Sequence, residues 1–227
     1  MFKKRINIFI NGCMCTGKSS LAEFLNSYLN KKFCTSKCIY LGSLLSAQRK
    51  HRTPFGLTID RALKNGQAVP LDIVYKTLLD SYKLLEERVV IIEGVPRNDE
   101  QLNYTPFRNW FDSNNSLVIN LRGVNIYQAL KRMRGRKICV ECHSIFTKKG
   151  CRNCGGLRFK FREVDLRRWN RELKSTNTPV YRNFLINGFR SGKTLIVNTS
   201  KLSKKEVGRI SLQWVINIIK RIEKYEG

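Results

Sequence analysis

The chain has 227 residues, of which 42% are hydrophobic, enough for one sizeable α/β core with a small insertion, or at most two domains. No stretch of about 18 apolar residues occurs, which excludes a membrane-spanning segment. The first predicted strand starts near Ile6, so we expect no cleavable targeting segment within this sequence.

The formal charge of +26 is unevenly distributed. Residues 113–205 hold 22 basic and only 4 acidic side chains. A phosphate-binding enzyme needs several cations but not a surplus of this size. The excess indicates either a polyanionic partner such as RNA, or a solvated basic face that follows from a biased composition. Both interpretations stay open.

The first element predicted along the chain is a strand at residues 6–10, followed directly by a G-x-x-x-x-G-K-S sequence. The glycines of such a loop let backbone N–H groups surround phosphates, Lys18 reaches the β and γ oxygens, and the Ser19 hydroxyl can hold Mg²⁺. A helical pattern follows the loop at once, which is the context this motif requires. The predicted nucleotide-binding residues here are Gly12, Cys15, Thr16, Gly17, Lys18, Ser19 and Ser20.

Further strands and helices alternate along the chain, which predicts an α/β fold with a parallel sheet covered on both faces. The predicted strands are residues 6–10, 38–41, 89–93, 117–121 and 195–198. The predicted helices are residues 20–29, 57–64, 72–87, 99–111, 125–134 and 204–224. In the last helix, an apolar stripe at helical spacing is predicted to pack on the core: Val207, Ile210, Trp214, Ile218 and Ile222.

Residues 137–162 interrupt the alternation with two C-x-x-C pairs, Cys139 with Cys142 and Cys151 with Cys154, separated by eight residues. Four thiolates at this spacing predict one structural Zn²⁺, which would supply the folding energy of a segment with few apolar residues. Free thiols or a redox pair are the alternatives, and we interpret His143 as a surface residue. Paired cysteines of this kind indicate a reducing compartment, either the cytoplasm or an organellar matrix.

In this order the motifs resemble adenylate kinase, specifically the long form whose lid carries a zinc knuckle. The most specific match is Glu93-Gly94-Val95-Pro96-Arg97 with Gln101 four residues beyond the arginine, similar to the family signature D-G-F-P-R-x-x-x-Q. Residues 40–45, 56–57 and 66–70 look like the family's monophosphate-binding segment. The resemblance implies a P-loop nucleoside-monophosphate-kinase fold with a core of residues 1–136 and 163–227, a monophosphate-binding segment near 42–72, and a zinc-knuckle lid at 137–162.

The same resemblance implies roles for single residues. Arg97 would hold the AMP phosphate and Gln101 would read the adenine edge, with Gly42, Val69 and Gly94 also in the nucleotide site. Arg132 and Arg136 resemble the family's R-x-x-G-R at the start of the lid, and Arg162 resembles the arginine after the second cysteine pair. A further phosphate-facing arginine is Arg168 or Arg171. The catalytic residues implied are Lys18, Arg97, Arg132, Arg136, Arg162 and Arg171.

Three departures from the family pattern bear on these roles. Ser46 stands where an arginine that contacts the AMP phosphate is usual, and Arg49, one helical turn on, is a candidate substitute. Glu93 replaces the usual aspartate. The lid is short, and Asp165 alone follows Arg162 where an Asp-Asp pair is expected.

Two functions follow from these observations. The first is a nucleoside-monophosphate kinase converting ATP and AMP to two ADP, with Mg²⁺ accompanying ATP, a structural Zn²⁺, and a monomeric state when free. The second is a basic, RNA-bound structural component of a ribonucleoprotein, such as a divergent ribosome, that still holds a nucleotide. Phosphoryl transfer needs two phosphate chains held in line, neutralised charge and excluded water. The retained lysine and arginine set favours the kinase.

Overall fold

A computed structural model describes residues 5–65, 67–113, 115–141, 146–147, 150–151, 154–161 and 166–226. Strands and helices are numbered in chain order within these residues. The strands are β1 (Ile6–Asn11), β2 (Ser36–Tyr40), β3 (Val89–Glu93), β4 (Asn115–Arg122), β5 (Lys137–Cys139), β6 (Phe146–Thr147), β7 (Gly150–Cys151), β8 (Phe159–Phe161) and β9 (Thr194–Asn198). The helices are α1 (Lys18–Lys32), α2 (Leu41–Lys50), α3 (Pro54–Lys64), α4 (Leu71–Lys83), α5 (Asp99–Asn103), α6 (Thr105–Ser113), α7 (Ile126–Arg134), α8 (Leu166–Ser175), α9 (Pro179–Arg190) and α10 (Lys204–Glu226).

Five strands form one parallel sheet in the order β2-β3-β1-β4-β9. The strand β1 lies at the centre and all six of its residues are buried. Because side chains alternate along a strand, Ile6, Ile8 and Ile10 point to the cluster formed with α1 and α10. Phe9 points to the opposite cluster, which includes residues of α4, α6 and α9. Burial on both faces explains why these strands read as continuous apolar runs.

The insertion between α7 and α8 contains two small antiparallel sheets, β5 with β8 and β6 with β7. It carries the cysteine pairs found in the sequence. The five-stranded sheet with flanking helices and a small cysteine-bearing insertion confirms the predicted α/β fold class. The domain boundaries, and the role of the insertion as a lid, stay predictions. Among the described helices, none combines the length and apolar character needed to cross a membrane.

All five predicted core strands form, but several element limits were wrong. The predicted strand 38–41 begins at Ser36 and ends at Tyr40, because Leu41 already starts α2. The predicted helix 99–111 is two helices, since Tyr104 is extended at ψ 107° and ends α5. The predicted helix 72–87 ends at Lys83. The helices α2 and α9 were not predicted as elements, whereas the family resemblance implied a helix after Arg162, where α8 lies.

In α10 the predicted apolar stripe only partly coincides with the buried face. Trp214, Ile218 and Ile222 pack partly buried against the core, but Ile210 is 39% exposed. The buried row includes the small residues Gly208 and Ser211. A Cβ at position 208 would lie 2.9 Å from the Phe24 ring, so glycine permits α10 to approach α1 closely. The other buried residues of the helix are Val207, Leu212, Val215 and Ile219, so the buried face lies to one side of Ile210.

The core packing predicts different costs for two leucine truncations. Leu25 of α1 is fully buried beside β1, whereas Leu84 at the end of α4 is 84% exposed. We expect Leu25→Ala to lower the free energy of unfolding by about 2 to 5 kcal/mol, because it leaves a cavity. Leu84→Ala should change it by less than about 0.5 kcal/mol. Urea unfolding measures both, and equal losses would contradict the assignment of Leu25 to the core.

Candidate active site

The loop between β1 and α1 has the geometry of a phosphate cradle. Gly12 (φ 132°), Cys15 (φ 68°) and Gly17 (φ 100°) adopt positive φ values, which curl the backbone. The Thr16 hydroxyl donates to the carbonyl of Cys13 at 2.9 Å and stabilises the turn. No side chain caps the start of α1 within the described chain, so its first N–H groups can receive an anion.

Gly12 is required by close packing as well as by its backbone angle. A Cβ at this position would collide with the carbonyl oxygen of Leu121 at the end of β4. The loop therefore rests directly on the neighbouring strand, which fixes its position relative to the sheet.

Lys18 lies inside the curl of the loop. Its ammonium group donates to the carbonyls of Gly12 and Cys13 at 2.7 and 2.8 Å. Burial lowers its pKa first, the nearby positive charge of Arg97 lowers it further, and the carboxylates of Glu93 and Glu172 act in the opposite direction. The charges that act on Lys18 belong to the end of β3, to the loop that follows it and to α8. These segments therefore lie close to the phosphate loop.

Arg97 follows β3 and is held by its own loop. Its Nε donates to the carbonyl of Gly94 at 2.7 Å, and its backbone N–H donates to Gln101 Oε1 at 2.6 Å. Asn98 caps α5 by accepting from the Gln101 N–H at 2.9 Å. Nη1 of Arg97 lies 3.6 Å from Glu172 Oε1. These bonds leave the amide group of Gln101 as a donor for a ligand.

Gly94 permits this conformation of the Arg97 side chain. Its φ is 102°, and a Cβ there would lie 2.9 Å from Arg97 Nη2. Beside Arg97 and Gln101 lies a small, mainly apolar pocket, and Val69 packs against the same cluster. The pocket is lined by Leu71, Val74, Tyr75, Leu78, Val95, Gln101, Tyr104 and Phe107.

Arg132 joins the phosphate loop to the edge of the sheet. From α7, its guanidinium donates to the carbonyls of Cys15 at 2.9 Å and Thr199 at 3.2 Å. Arg136, after the end of α7, is half-exposed. Arg171 on α8 is exposed, and within the described residues it makes no hydrogen bond or ion pair with Lys18 or Arg97.

In the predicted monophosphate-binding segment, the arginine of α2 is already paired. The Ser46 hydroxyl donates back to the carbonyl of Gly42 at 2.9 Å. Arg49 donates to Asp60 Oδ1 from Nε at 3.2 Å and Nη2 at 2.6 Å, which ties α2 to α3. Arg49, the candidate substitute for the missing arginine, is thus already paired. Gly42 has open space where a Cβ would project.

The cysteines of the insertion form a metal-binding arrangement. The sulfur atoms of Cys139, Cys151 and Cys154 all lie within 4.8 Å of one another, with Cys139 and Cys154 3.5 Å apart. Zn–S bonds of about 2.3 Å in a tetrahedron put sulfur atoms about 3.8 Å apart, so the donor set fits zinc. Gly155 at φ 71° donates its N–H to the carbonyl of Cys151, which closes the turn after the second pair.

Several predicted residues lie outside the described part of the structure. They are Cys142, His143, Arg162 and Asp165, together with the side chain of Arg168. Their predicted roles as fourth zinc ligand, surface residue, lid arginine, lone acidic residue and phosphate-facing arginine stay predictions.

Sequence reasoning missed the segment that supports Arg97 from the opposite side. The Ser175 hydroxyl donates to the carbonyl of Arg97 at 3.1 Å, and the Tyr181 hydroxyl donates to the carbonyl of Pro96 at 3.1 Å. Glu172 on the same segment is the one acidic residue of a basic helix. The sequence did carry a signal for this segment: a single glutamate among basic residues, followed by Thr178-Pro179, which is typical of a helix start.

The parallel sheet, the phosphate loop after its central strand and the cysteine-bearing insertion define an α/β protein with the nucleoside-monophosphate kinase fold. No family model matches the chain. Similarity to individual proteins is clear but partial. The adenylate kinase of Pyrococcus abyssi is 28% identical over 149 residues, which cover 62% of this chain and 61% of that protein. That of Borrelia turicatae is 31% identical over 132 residues, or 58% of each chain.

The adenylate kinase of Helicobacter pylori strain HPAG1 is 35% identical over 96 residues, covering 41% of this chain and 47% of that protein. Over these matched regions the chain is distantly similar to the adenylate kinases. The matched region spans 47 to 61% of the length of these three relatives. The RNA-bound alternative gains no support from these matches.

The glycine geometry of the phosphate loop predicts contrasting effects of two substitutions. Gly12→Ala combines an unfavourable φ with a collision, so we expect it to destabilise the protein by about 1 to 3 kcal/mol. Gly42→Ala, in the first turn of α2 with open space around it, should change stability by no more than about 1 kcal/mol. Thermal unfolding of both variants measures this difference, and a harmless Gly12→Ala would contradict the loop geometry.

The cysteine arrangement predicts about one zinc per chain. We expect elemental analysis of protein prepared without chelator to find it, and Cys151→Ser to lose it, because a closed thiolate site tolerates no missing ligand. Cys34→Ser, at a cysteine outside this cluster, is the matched control and should retain the metal. Absence of zinc from the unaltered protein would refute the site.

Proposed function

We propose that the protein is a nucleoside-monophosphate kinase that transfers a phosphoryl group reversibly from MgATP to AMP, giving two ADP. The observation that carries this proposal is the convergence of Lys18 and Arg97. They come from loops that follow two adjacent strands, β1 and β3, and the positive charge of Arg97 contributes to the lowered pKa of Lys18. A pair of cations at the ends of neighbouring strands suits two phosphate chains that must meet in line.

The donor nucleotide would occupy the β1–α1 loop. The residues that would hold its phosphates are Gly12, Cys15, Thr16, Gly17, Lys18, Ser19 and Ser20. On binding, the Lys18 ammonium would exchange the carbonyls of Gly12 and Cys13 for phosphate oxygens. Ser19 and Glu93 are the oxygen donors near the loop that suit the Mg²⁺ carried by ATP, which neutralises phosphate charge.

The acceptor nucleotide would lie on the other side of Arg97. Arg97 would bind the phosphate of AMP and Gln101 would read the adenine edge, with Gly94 keeping the guanidinium in place. The side chains beside Gln101 are mainly apolar, and they would pack against the face of a flat base once the small space between them opened. Gly42 and Val69 complete this proposed site from the α2–α4 side. With Ser46 and the paired Arg49 in α2, the monophosphate would rely mainly on Arg97.

Arg132 and Arg136 would neutralise the phosphoryl group during transfer, with Arg162 and Arg171 reaching it when the insertion closes. Arg132 now donates to the carbonyl of Cys15, so it already lies against the phosphate loop. Closure of the insertion would exclude water, which otherwise competes for the phosphoryl group. Zn²⁺ bound by Cys139, Cys142, Cys151 and Cys154 would hold the insertion together as one unit.

A coupled assay for ADP formation from MgATP and AMP, on nucleic-acid-free protein, tests the proposal. We expect Lys18→Met to reduce turnover by at least about 100-fold, because a charge aimed at the transferring group is lost. Lys31→Met is the matched control: it makes the same change in the same helix at an exposed position, and it should keep full turnover.

Circular dichroism checks that Lys18→Met is folded. Retained turnover in folded Lys18→Met would contradict the assigned role of the loop. An unaltered protein that binds ATP and AMP but forms no ADP would show that the kinase proposal is wrong.

A further inference from the structure

The carboxylate of Glu172 lies against Arg97 of the candidate site. It projects from α8, and its side chain is 17% exposed. Its Oε1 atom is 3.6 Å from Nη1 of Arg97. This distance is longer than a hydrogen bond, so the pair attracts electrostatically without a directional bond.

Arg97 does not need Glu172 to keep its position. Its Nε already donates to the carbonyl of Gly94, and its backbone is tied to the side chain of Gln101. If the carboxylate were absent, both of these contacts would remain. Glu172 therefore acts mainly on the charge of Arg97 rather than on its geometry.

The position of Glu172 is built into the fold. Its helix α8 is tied to the Arg97 loop by the hydroxyl of Ser175, which donates to the carbonyl of Arg97 at 3.1 Å. Thr178 donates to Asp99 Oδ1 at 2.6 Å, and Tyr181 donates to the carbonyl of Pro96. Three hydrogen bonds thus connect this segment with the loop of residues 96–99, so the carboxylate is held near Arg97 by several independent contacts.

The charge of Glu172 also influences two residues of the phosphate loop, Lys18 and Cys13. The Glu172 carboxylate opposes the lowering of the Lys18 pKa, and it contributes to the raised pKa of Cys13, for which burial is the main cause. One carboxylate therefore offsets the charge of both cations that the proposed function assigns to the two nucleotides. A bound phosphate would meet the same carboxylate as a like charge.

We propose that Glu172 is an internal counter-ion of Arg97 that the phosphate of AMP must displace. Its charge thereby makes AMP bind more weakly than it would to the same site without this carboxylate. The inference takes from the proposed function only the assignment of the monophosphate to Arg97. A phosphate monoester carries about −1.5 to −2 charges near pH 7 and binds a guanidinium through two oxygens, so it can displace a single carboxylate. The displaced charge stays nearby and repels the ligand.

The test compares AMP binding to the unaltered protein and to Glu172→Gln by isothermal titration calorimetry. Glutamine keeps the shape of the side chain and removes its charge. We expect Glu172→Gln to bind AMP about three- to tenfold more tightly, which corresponds to about 0.7 to 1.4 kcal/mol. The gain should shrink at high salt, since screening weakens the repulsion.

Glu100→Gln is the matched control. Glu100 is an exposed carboxylate on α5, three residues after Arg97, so its substitution makes the same change in net charge. We expect its AMP affinity to stay within about twofold of the unaltered protein, because solvent screens an exposed charge. A gain of the same size in both variants would mean that net charge alone is responsible, which overturns the proposal.

Weaker or unchanged AMP binding in Glu172→Gln also overturns it, since Glu172 would then position Arg97 or have no influence. Adding Arg97→Ala to Glu172→Gln provides a second measure: the affinity gain should disappear if it acts through Arg97, and its persistence would contradict the mechanism. The binding measurement is independent of turnover. A protein that binds AMP but forms no ADP would refute the kinase proposal while the Glu172 comparison still decides this one.

Discussion

The candidate site depends on one constraint, the burial of β1 as the central strand of a parallel sheet. Parallel strands end at the same edge, so the loops after β1 and β3 are brought together. The apolar residues of β1 fill both faces of the sheet, which holds the strand in the middle of the core. Gly12 then sets the phosphate loop directly on the end of β4. Lys18 and Arg97 converge as a consequence of this packing.

Bringing cations together without a ligand costs electrostatic energy, and the protein offsets that cost locally. Backbone carbonyls accept from Lys18, Arg97 and Arg132, so each charge has an uncharged partner that a phosphate can replace. Glu172 supplies the charged partner. A carbonyl that releases its cation leaves no net charge behind, whereas a displaced carboxylate stays nearby and repels the phosphate. This difference underlies the proposed effect of Glu172 on monophosphate affinity.

The phosphate loop and the Arg97 motif were predictable from sequence because each is a short, local pattern whose chemistry depends on neighbouring residues. The cysteine pairs were predictable for the same reason, and three of the four sulfur positions cluster as expected. Helix α9 was not predicted, although its Thr178-Pro179 start is a recognisable helix N-terminus. The predicted burial of Ile210 was wrong because the buried face of α10 runs through Ser211, Leu212, Val215 and Ile219, to one side of Ile210.

The sequence by itself determined the fold class, the phosphate loop, the Arg97 motif and the family resemblance, since these depend on periodicity and on residues close in the chain. Only the tertiary structure decided which charges meet. The pairing of Glu172 with Arg97, the engagement of Arg49 by Asp60 and the contact of Arg132 with Cys15 and Thr199 all join distant segments. Such contacts are set by the order of strands and the packing of helices, which no local pattern contains.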